Sequence, residues 1–145
     1  MTEPFLQHMK AAIEIAEKCE TPFGAALAMG DQLFVAAANQ TKKLHDPTAH
    51  AEVMAMRKLG DHLKKTDLSG FTLYSTCEPC PMCISAALWA KIDTVFYGCT
   101  IPMISKYLGQ IHLRADKIAD SGFKDTYIKG EIMVSQCELL LKKYS

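Results

Sequence analysis

Two short segments of the chain combine residue types that can bind a metal ion and transfer protons. The first reads H-A-E over residues 50–52, and the second reads P-C-P-M-C over residues 79–83. Zn²⁺ accepts imidazole nitrogen and thiolate sulfur, and a catalytic zinc site has three protein ligands with the fourth position left to water. One histidine, His50, and two cysteines, Cys80 and Cys83, therefore predict a catalytic zinc site.

The spacing of these residues fits a single ligand cluster. Cys80 and Cys83 are three residues apart at the expected start of a helix, so both sulfurs can lie on one side of it. His50 stands near the expected start of another helix. The amino terminus of a helix carries partial positive charge, which favours thiolates and a deprotonated water at the metal.

Glu52 follows His50 by two residues, so its carboxylate can reach a water at the metal without being a ligand. Zinc lowers the pKa of such a water to roughly 7. A carboxylate beside the water can take its proton and pass it on to a departing group. We therefore predict that Glu52 is a general acid/base in a hydrolytic reaction.

Cys77 leaves an alternative open, because residues 77–80 also read C-x-x-C. A fourth ligand from Cys77 would make the zinc site structural, as in a non-catalytic zinc scaffold or an RNA-binding module. That alternative would leave the H-x-E segment without a purpose. The three other cysteines are expected to be core or surface thiols: Cys19, Cys99 and Cys137.

The hydropathy pattern predicts which elements position these segments. It predicts helices over residues 5–18, 48–59 and 82–90, strands over 25–29, 33–38, 71–75 and 94–98, and a polar loop over 39–48. Thr2 is a candidate cap of the first helix. This α-β-β-α-β-α-β order indicates a three-layer α/β domain. Beyond Gly98 the pattern predicts a helix over 103–113, a strand over 131–137 and a terminal helix over 138–144.

Composition and charge narrow the functional classes. The 145 residues suit one domain, and 16 basic residues balance 16 acidic ones. Proteins that hold nucleic acid through its phosphates usually carry a basic excess, so a nucleic-acid partner is disfavoured. The first four residues lack the pattern of a secretory signal, and no apolar run approaches the ~18 residues of a membrane span. We therefore expect a cytoplasmic location.

Longer stretches around both segments resemble the cytidine-deaminase superfamily. Residues 46–52 read DPTAHAE and residues 76–83 read TCEPCPMC, which together fit the H-x-E…P-C-x-x-C signature of zinc deaminases. The resemblance covers about residues 20–100. It implies an α/β/α fold around a mixed five-stranded sheet, Zn²⁺ as the cofactor, and a homodimer in which C-terminal segments can be exchanged.

Within this superfamily the chain looks most like the guanine deaminase and tRNA adenosine deaminase branches. Residues 22–25 (PFGA) and 122–128 (GFKDTYI) resemble segments of the guanine branch. The tRNA branch has an Asp-x-Lys-x-Gly-Ala stretch where this chain reads GCTIPM over residues 98–103. The connection over residues 100–119 is longer than that of the guanine branch, which affects the alignment of Asp125.

The resemblance also implies roles for individual residues, each with a simpler structural alternative. Asn39 would hydrogen-bond the base or be a turn residue, and Asp125 would shuttle protons or be an N-cap or surface charge. Tyr144 would close a neighbouring active site or be a loose terminal residue. Three more residues would line the substrate pocket, although Phe23 and Trp89 also fit a core position: Phe23, Ala49 and Trp89.

The predicted reaction is hydrolytic deamination of guanine to xanthine and ammonia. The same chemistry on guanosine, adenine, cytosine, an aminotriazine or adenosine in tRNA remains an alternative. A zinc scaffold or RNA-binding module is the non-enzymatic alternative, and the intact carboxylate of Glu52 argues against it.

Overall fold

The first element is an amphipathic helix that covers one face of the sheet. The computed structural model describes residues 3–145, so the proposed cap Thr2 lies outside the described residues. Helix α1 spans Leu6–Lys18 and buries His8, Met9, Ala12 and Ala16 along one stripe. This stripe has the spacing of a helix that faces a core on one side, as predicted.

All five strands belong to one mixed sheet with the order β2-β1-β3-β4-β5. β1 pairs antiparallel with β2 and β3, whereas β4 runs parallel to both of its neighbours. The mixed five-stranded sheet is therefore confirmed. The strands are β1 (Gly24–Met29), β2 (Gln32–Ala38), β3 (Thr72–Cys77), β4 (Thr94–Cys99) and β5 (Tyr127–Lys129).

Helices pack on both faces of this sheet, which confirms the three-layer architecture. After α1 they are α2 (Thr41–Leu44), α3 (Ala51–Leu63), α4 (Pro81–Trp89), α5 (Ile101–Ile104), α6 (Ala115–Asp120) and α7 (Val134–Tyr144). One core lies between the sheet and α3, α4 and α6, and the other lies between the sheet and α1 and α7. Alternate residues of β1 enter opposite cores, since successive side chains of a strand point to opposite faces.

The parallel pair β3 and β4 positions the candidate site. Both strands are almost entirely buried, as expected for the centre of an α/β sheet. Their carboxyl ends meet where Cys77 pairs with Cys99. The chain leaves β3 at this edge and enters α4 within four residues, so residues 78–80 lie at the carboxyl edge of the sheet.

The predicted helix over 103–113 is wrong. Helical structure ends at Ile104, a turn follows to Leu108, and residues 109–114 run without regular structure. The reason is tertiary: the backbone N–H groups of Ile101 and Ala115 both donate to the carboxylate of Glu78. A straight helix through this segment would carry its two ends apart, so the chain turns back instead.

The predicted strand over 131–137 is also wrong. Glu131 and Met133 have positive φ values of 62° and 50°, which interrupt any extended run. The last strand, β5, lies a few residues earlier, and Cys137 belongs to α7. Cys137 packs against Gly98, where a Cβ atom would lie 2.4 Å from the Cys137 sulfur. This close approach of α7 to the sheet requires a glycine.

Three smaller findings complete the fold. The polar loop over 39–48 contains the short helix α2, which the sequence pattern did not predict. Trp89 has 76% of its surface exposed, so its predicted core position is wrong. Among residues 3–145, no helix combines the length and the apolar character that crossing a membrane demands.

Candidate active site

The predicted metal ligands sit at the starts of two helices. His50 is the N-cap residue of α3 and Cys80 is the N-cap residue of α4, with Pro81 in the first turn. Proline suits this position because it lacks an N–H group that would have no partner there. Cys83 follows within the first turn of α4, so its sulfur lies on the same side as that of Cys80.

The structure brings these three side chains into one cluster. His50 Nδ1 lies 3.6 Å from the sulfur of Cys80 and 3.5 Å from that of Cys83, and all three ligand atoms lie within 4.8 Å of one another. One nitrogen and two sulfurs at these separations fit the donor set of a catalytic zinc ion. In the described chain, residues 3–145, no fourth side chain joins the cluster.

Cys77 does not complete a structural site. It is buried beside Cys99 on the adjacent strand, and the hydrogen bond with Cys99 raises the pKa of the Cys77 thiol well above its ordinary value. The sulfur of Cys77 is not among the three ligand atoms that lie within 4.8 Å of one another. The donor set therefore leaves one coordination position to solvent or substrate.

The two ligand cysteines interact strongly with each other. Hydrogen bonds from Cys83 and then from His50 lower the pKa of Cys80 to about 4, whereas the contact with Cys80 raises the pKa of Cys83. Cys80 is therefore a ready thiolate at neutral pH. A divalent cation in the cluster favours the deprotonated form of both sulfurs.

Glu52 lies in the first turn of α3 and is only 6% exposed. Burial, and then the charge of Cys80, raise the pKa of Glu52 to about 7, and the Cys83 thiol is a hydrogen-bonding neighbour. A carboxyl group with a pKa close to neutrality can both accept and return a proton. Glu52 thus occupies the position beside the ligand cluster that was predicted from the sequence.

A cavity of about 310 Å³ opens next to the cluster. This volume falls at the lower end of ligand pockets and suits a small molecule. Its polar lining includes the side chains of Asn39, Thr41 and Glu52. The remaining lining residues are Phe23, His50, Cys77, Glu78, Cys80, Ile104, Leu108, Gly109 and Gln110.

Asn39 is the most informative of the polar lining residues. Its Nδ2 donates to Thr41 Oγ1 at 3.2 Å, but its buried Oδ1 has no hydrogen-bond partner in the protein. An unsatisfied buried carbonyl oxygen is unfavourable, so a group of this kind calls for a ligand. Phe23 lines the same pocket. Ala49, which was also predicted to line the pocket, is fully buried and is not among the lining residues; its carbonyl accepts a hydrogen bond from the backbone of Gln40.

Two other predicted site residues lie away from the pocket of their own chain. Asp125 is exposed and precedes β5, whose Tyr127 pairs with Thr94 at the start of β4. Five residue steps separate that end of β4 from the ligand edge, about 16 Å at the rise of a strand. Trp89, at the end of α4, contacts Phe123 with ring centroids 5.4 Å apart and ring planes inclined at 44°.

Tyr144 packs within its own chain. Its hydroxyl hydrogen-bonds the carboxylate of Glu17 in α1. It lines a second cavity of about 460 Å³, which shares Phe23, Asn39 and Leu108 with the first. The exchange of C-terminal segments between two chains stays a prediction.

Sequence reasoning missed Glu78, which lines the pocket although it carries a charge and is only 3% exposed. Its position directly before Pro79-Cys80 was the available signal, since a charged residue at the end of a buried strand needs a partner. That partner, Arg114, lies 36 residues away and could not be identified from local patterns.

Comparison with known proteins agrees with this geometry. Residues 3–99, well over half of the chain, match the family described as cytidine and deoxycytidylate deaminase zinc-binding region. A guanine deaminase from Bacillus subtilis (strain 168) is 38% identical over 111 residues. That alignment covers 77% of this chain and 62% of the relative, so the chain spans less than two thirds of that protein's length.

Two further similar proteins concern the branch of the deaminase family and the fold. A tRNA-specific adenosine deaminase from Buchnera aphidicola subsp. Baizongia pistaciae (strain Bp) is 33% identical over 140 residues, covering 94% of this chain and 85% of the relative. The solved guanine deaminase from Nitrosomonas europaea superposes with a TM-score of 0.87 over 99% of this chain and 85% of its own. At 20% identity this second likeness concerns the fold alone. The chain therefore belongs to the zinc deaminases defined by the cytidine and deoxycytidylate deaminase zinc-binding region.

Proposed function

We propose that this zinc deaminase converts guanine and water to xanthine and ammonia. The observation that carries the proposal is Asn39, which lines the small pocket beside the ligand cluster and whose buried Oδ1 has no hydrogen-bond partner in the protein. An acceptor there selects a ring that offers an N–H donor, and free guanine has N–H groups on both of its rings. The 38% identity to a guanine deaminase supports the same substrate.

In the proposed reaction, the three zinc ligands and Glu52 have different roles. A zinc ion held by His50, Cys80 and Cys83 supplies Lewis acidity that makes a water nucleophilic near neutral pH. Glu52 accepts a proton from the attacking water and delivers it to the ring nitrogen. The water oxygen bonds to the amine-bearing carbon, and the C–N bond to the amine then breaks. Glu52 then takes the remaining proton from the hydroxyl on that carbon and passes it to the departing amine, which leaves as ammonia while the carbon keeps the oxygen as a carbonyl.

The pocket residues hold the base in place during these proton transfers. Asn39 accepts a hydrogen bond from a ring N–H, while Phe23 supplies an apolar surface against the base. Glu52 is buried beside the ligand cluster, which keeps bulk water from competing for the transferred proton.

Ammonia release by the purified zinc-loaded protein tests the substrate. Guanine is expected to be deaminated faster than guanosine, adenine and cytosine. If guanine and guanosine are both inert while another member of the panel releases ammonia, the guanine assignment is wrong and the deaminase assignment stands.

Adenosine in tRNA is the second candidate substrate. It is favoured by the alignment with a tRNA-specific adenosine deaminase, which covers more of both chains than the guanine deaminase alignment does. The balance of 16 basic and 16 acidic residues disfavours it. Deamination of a tRNA anticodon stem, with no ammonia from guanine, would select this candidate.

We also propose a homodimer formed through the outer face of α4. Trp89 and Phe123 are 76% and 58% exposed and contact each other to form one aromatic patch. Large exposed aromatic side chains in contact mark an association surface. Most homodimers are two-fold symmetric, which lets one such patch meet its own copy. The net charge of zero places no long-range repulsion between two copies.

A further inference from the structure

The carboxylate of Glu78 holds three donors from outside its own loop. Oε1 accepts from the backbone N–H of Ile101 at 2.8 Å, and Oε2 accepts from that of Ala115 at 2.8 Å. The Nε atom of Arg114 donates to both oxygens, at 2.9 and 3.0 Å. The side chain of Glu78 is 1% exposed. This buried charge is therefore satisfied almost entirely by one distant segment.

The segment bound in this way is residues 101–115, and Glu78 holds it at both ends. Between the two ends lie Ile104, Leu108 and Gln110, which form part of the pocket wall. The outer part of the segment packs loosely, since Ile111 and Leu113 are 62% and 44% exposed. A loop with few buried contacts depends on its end points for its position.

Arg114 connects the same carboxylate to the sheet. Its Nη2 donates to the hydroxyl of Tyr97 at 3.1 Å, and the ring of Tyr97 packs against Gly130, where a Cβ atom would lie 2.3 Å from it. The planar guanidinium can donate in two directions with fixed geometry, whereas an ammonium group lacks this fork. The pair Glu78–Arg114 therefore joins the zinc-ligand loop, the pocket wall and β4.

We propose that Glu78 and Arg114 are positioning residues that set the shape of the substrate pocket by fixing residues 101–115 against the zinc-ligand loop. They act on the substrate through the wall residues that they place. The proposal rests on the proposed function only in that this pocket receives the base. Loss of the pair is expected to weaken substrate binding more than it slows the chemical step.

Three variants and one control separate positioning from a general loss of stability. Arg114→Ala removes the guanidinium group but leaves the buried carboxylate of Glu78 without its ion-pair partner, which by itself destabilises a fold. The double variant Glu78→Gln/Arg114→Ala removes that uncompensated charge as well. Arg114→Lys restores the charge without the planar fork. Lys64→Ala removes an exposed ion pair with Asp61 and is the matched control.

The measurements are kcat and KM for guanine, zinc content, thermal unfolding, and hydrogen exchange of the peptide covering residues 101–113. In Arg114→Ala and in the double variant, KM is expected to rise about tenfold or more while kcat changes less than about threefold and zinc stays bound. Exchange over 101–113 is expected to accelerate. Arg114→Lys should recover part of the KM effect, and Lys64→Ala should match the wild type.

Unchanged KM and exchange in the double variant would overturn the proposal. So would a parallel loss of kcat, zinc and thermal stability, because that pattern describes a structural pair only. If the wild-type protein does not deaminate guanine, the proposed function fails by itself. The comparison of hydrogen exchange over residues 101–113 then still tests the positioning role of Glu78 and Arg114. KM is compared on whichever substrate of the panel releases ammonia.

Discussion

Glu52 is a buried carboxylate whose position is explained by a role in the reaction and not by a contribution to stability. It forms no ion pair with a lysine or arginine in the described part of the chain, and burial raises its pKa to about 7. Burying a carboxylate in this way costs folding free energy. The ligand cluster beside it supplies the reason for this cost, because a nearby metal ion favours the charged carboxylate.

Replacing Glu52 with glutamine should abolish turnover while leaving the metal bound. The amide keeps the shape of the side chain but cannot accept a proton, so ammonia release should fall by roughly 10²–10⁴. Ammonia assays and metal analysis of the same sample measure both quantities. Glu14→Gln, an exposed change on α1, is the control. A rate within a few-fold of wild type in Glu52→Gln would contradict the general acid/base role.

Asn39→Ala distinguishes a base-binding residue from a turn residue. Its Oδ1 is buried without a partner, so the alanine variant should raise KM for guanine by roughly 10-fold with little loss of stability. Gln32→Ala, an exposed change at the start of β2, is the control. A lower unfolding temperature with an unchanged KM would support the turn residue instead.

Sequence reasoning was reliable for the ligand residues because their chemistry depends on type and local spacing. His50, Cys80 and Cys83 each lie within one turn of a helix start, and the combined H-x-E and P-C-x-x-C pattern indicated that they share one metal site. Asn39 was assigned through family resemblance, and its unpaired oxygen could be found only in the structure. Asp125 lies near the start of β4 in its own chain, and its proton-shuttle role stays a prediction.

At the scale of elements, predictions up to Gly98 were accurate apart from the short helix α2, and they failed beyond it where distant contacts decide local structure. The periodicity of 103–113 favours a helix, but Glu78 holds both ends of that segment. The β-branched residues of 131–137 favour a strand, but positive φ values at Glu131 and Met133 turn the chain into α7. Such tertiary effects routinely override local propensity.

The packing of α1 on β1 depends on Gly24. A Cβ atom at Gly24 would lie 2.0 Å from the carbonyl oxygen of Ala12, so Gly24→Ala should force the helix away from the strand. We expect a loss of about 1–3 kcal/mol in the free energy of unfolding, measured by denaturant titration. Gly109→Ala has open space around the new methyl group and should be nearly neutral. Equal stability of the two variants would contradict this account of the α1–β1 contact.

For the whole molecule, one sheet holds every strand, and we expect the chain to act as one domain. The zinc ligands lie at the carboxyl edge of β3, whereas the aromatic patch of Trp89 and Phe123 lies at the far end of α4. Association through this patch would therefore not use the end of α4 that carries the zinc ligands.

The patch predicts a specific effect on oligomeric state. Trp89→Asp should shift the homodimer to a monomer in light scattering coupled to size exclusion, because a charge in an apolar interface is poorly solvated. Leu139→Asp changes a similarly exposed apolar residue on α7, 61% exposed, and should leave the dimer intact. A monomeric wild-type protein, or a dimer that survives Trp89→Asp, would contradict the proposed interface.

Because the six cysteines differ in exposure, the number of cysteines that an alkylating reagent labels should depend on whether zinc is bound. Cys19 is exposed, whereas Cys77, Cys99 and Cys137 are buried, and burial raises the pKa of Cys137 to about 12. An alkylating reagent added to the folded, zinc-loaded enzyme should therefore label Cys19 alone, because thiolates are the reactive form and the metal occupies the other two. Chelation should expose Cys80 to the reagent, so that intact mass after labelling counts the fraction of molecules that carry zinc.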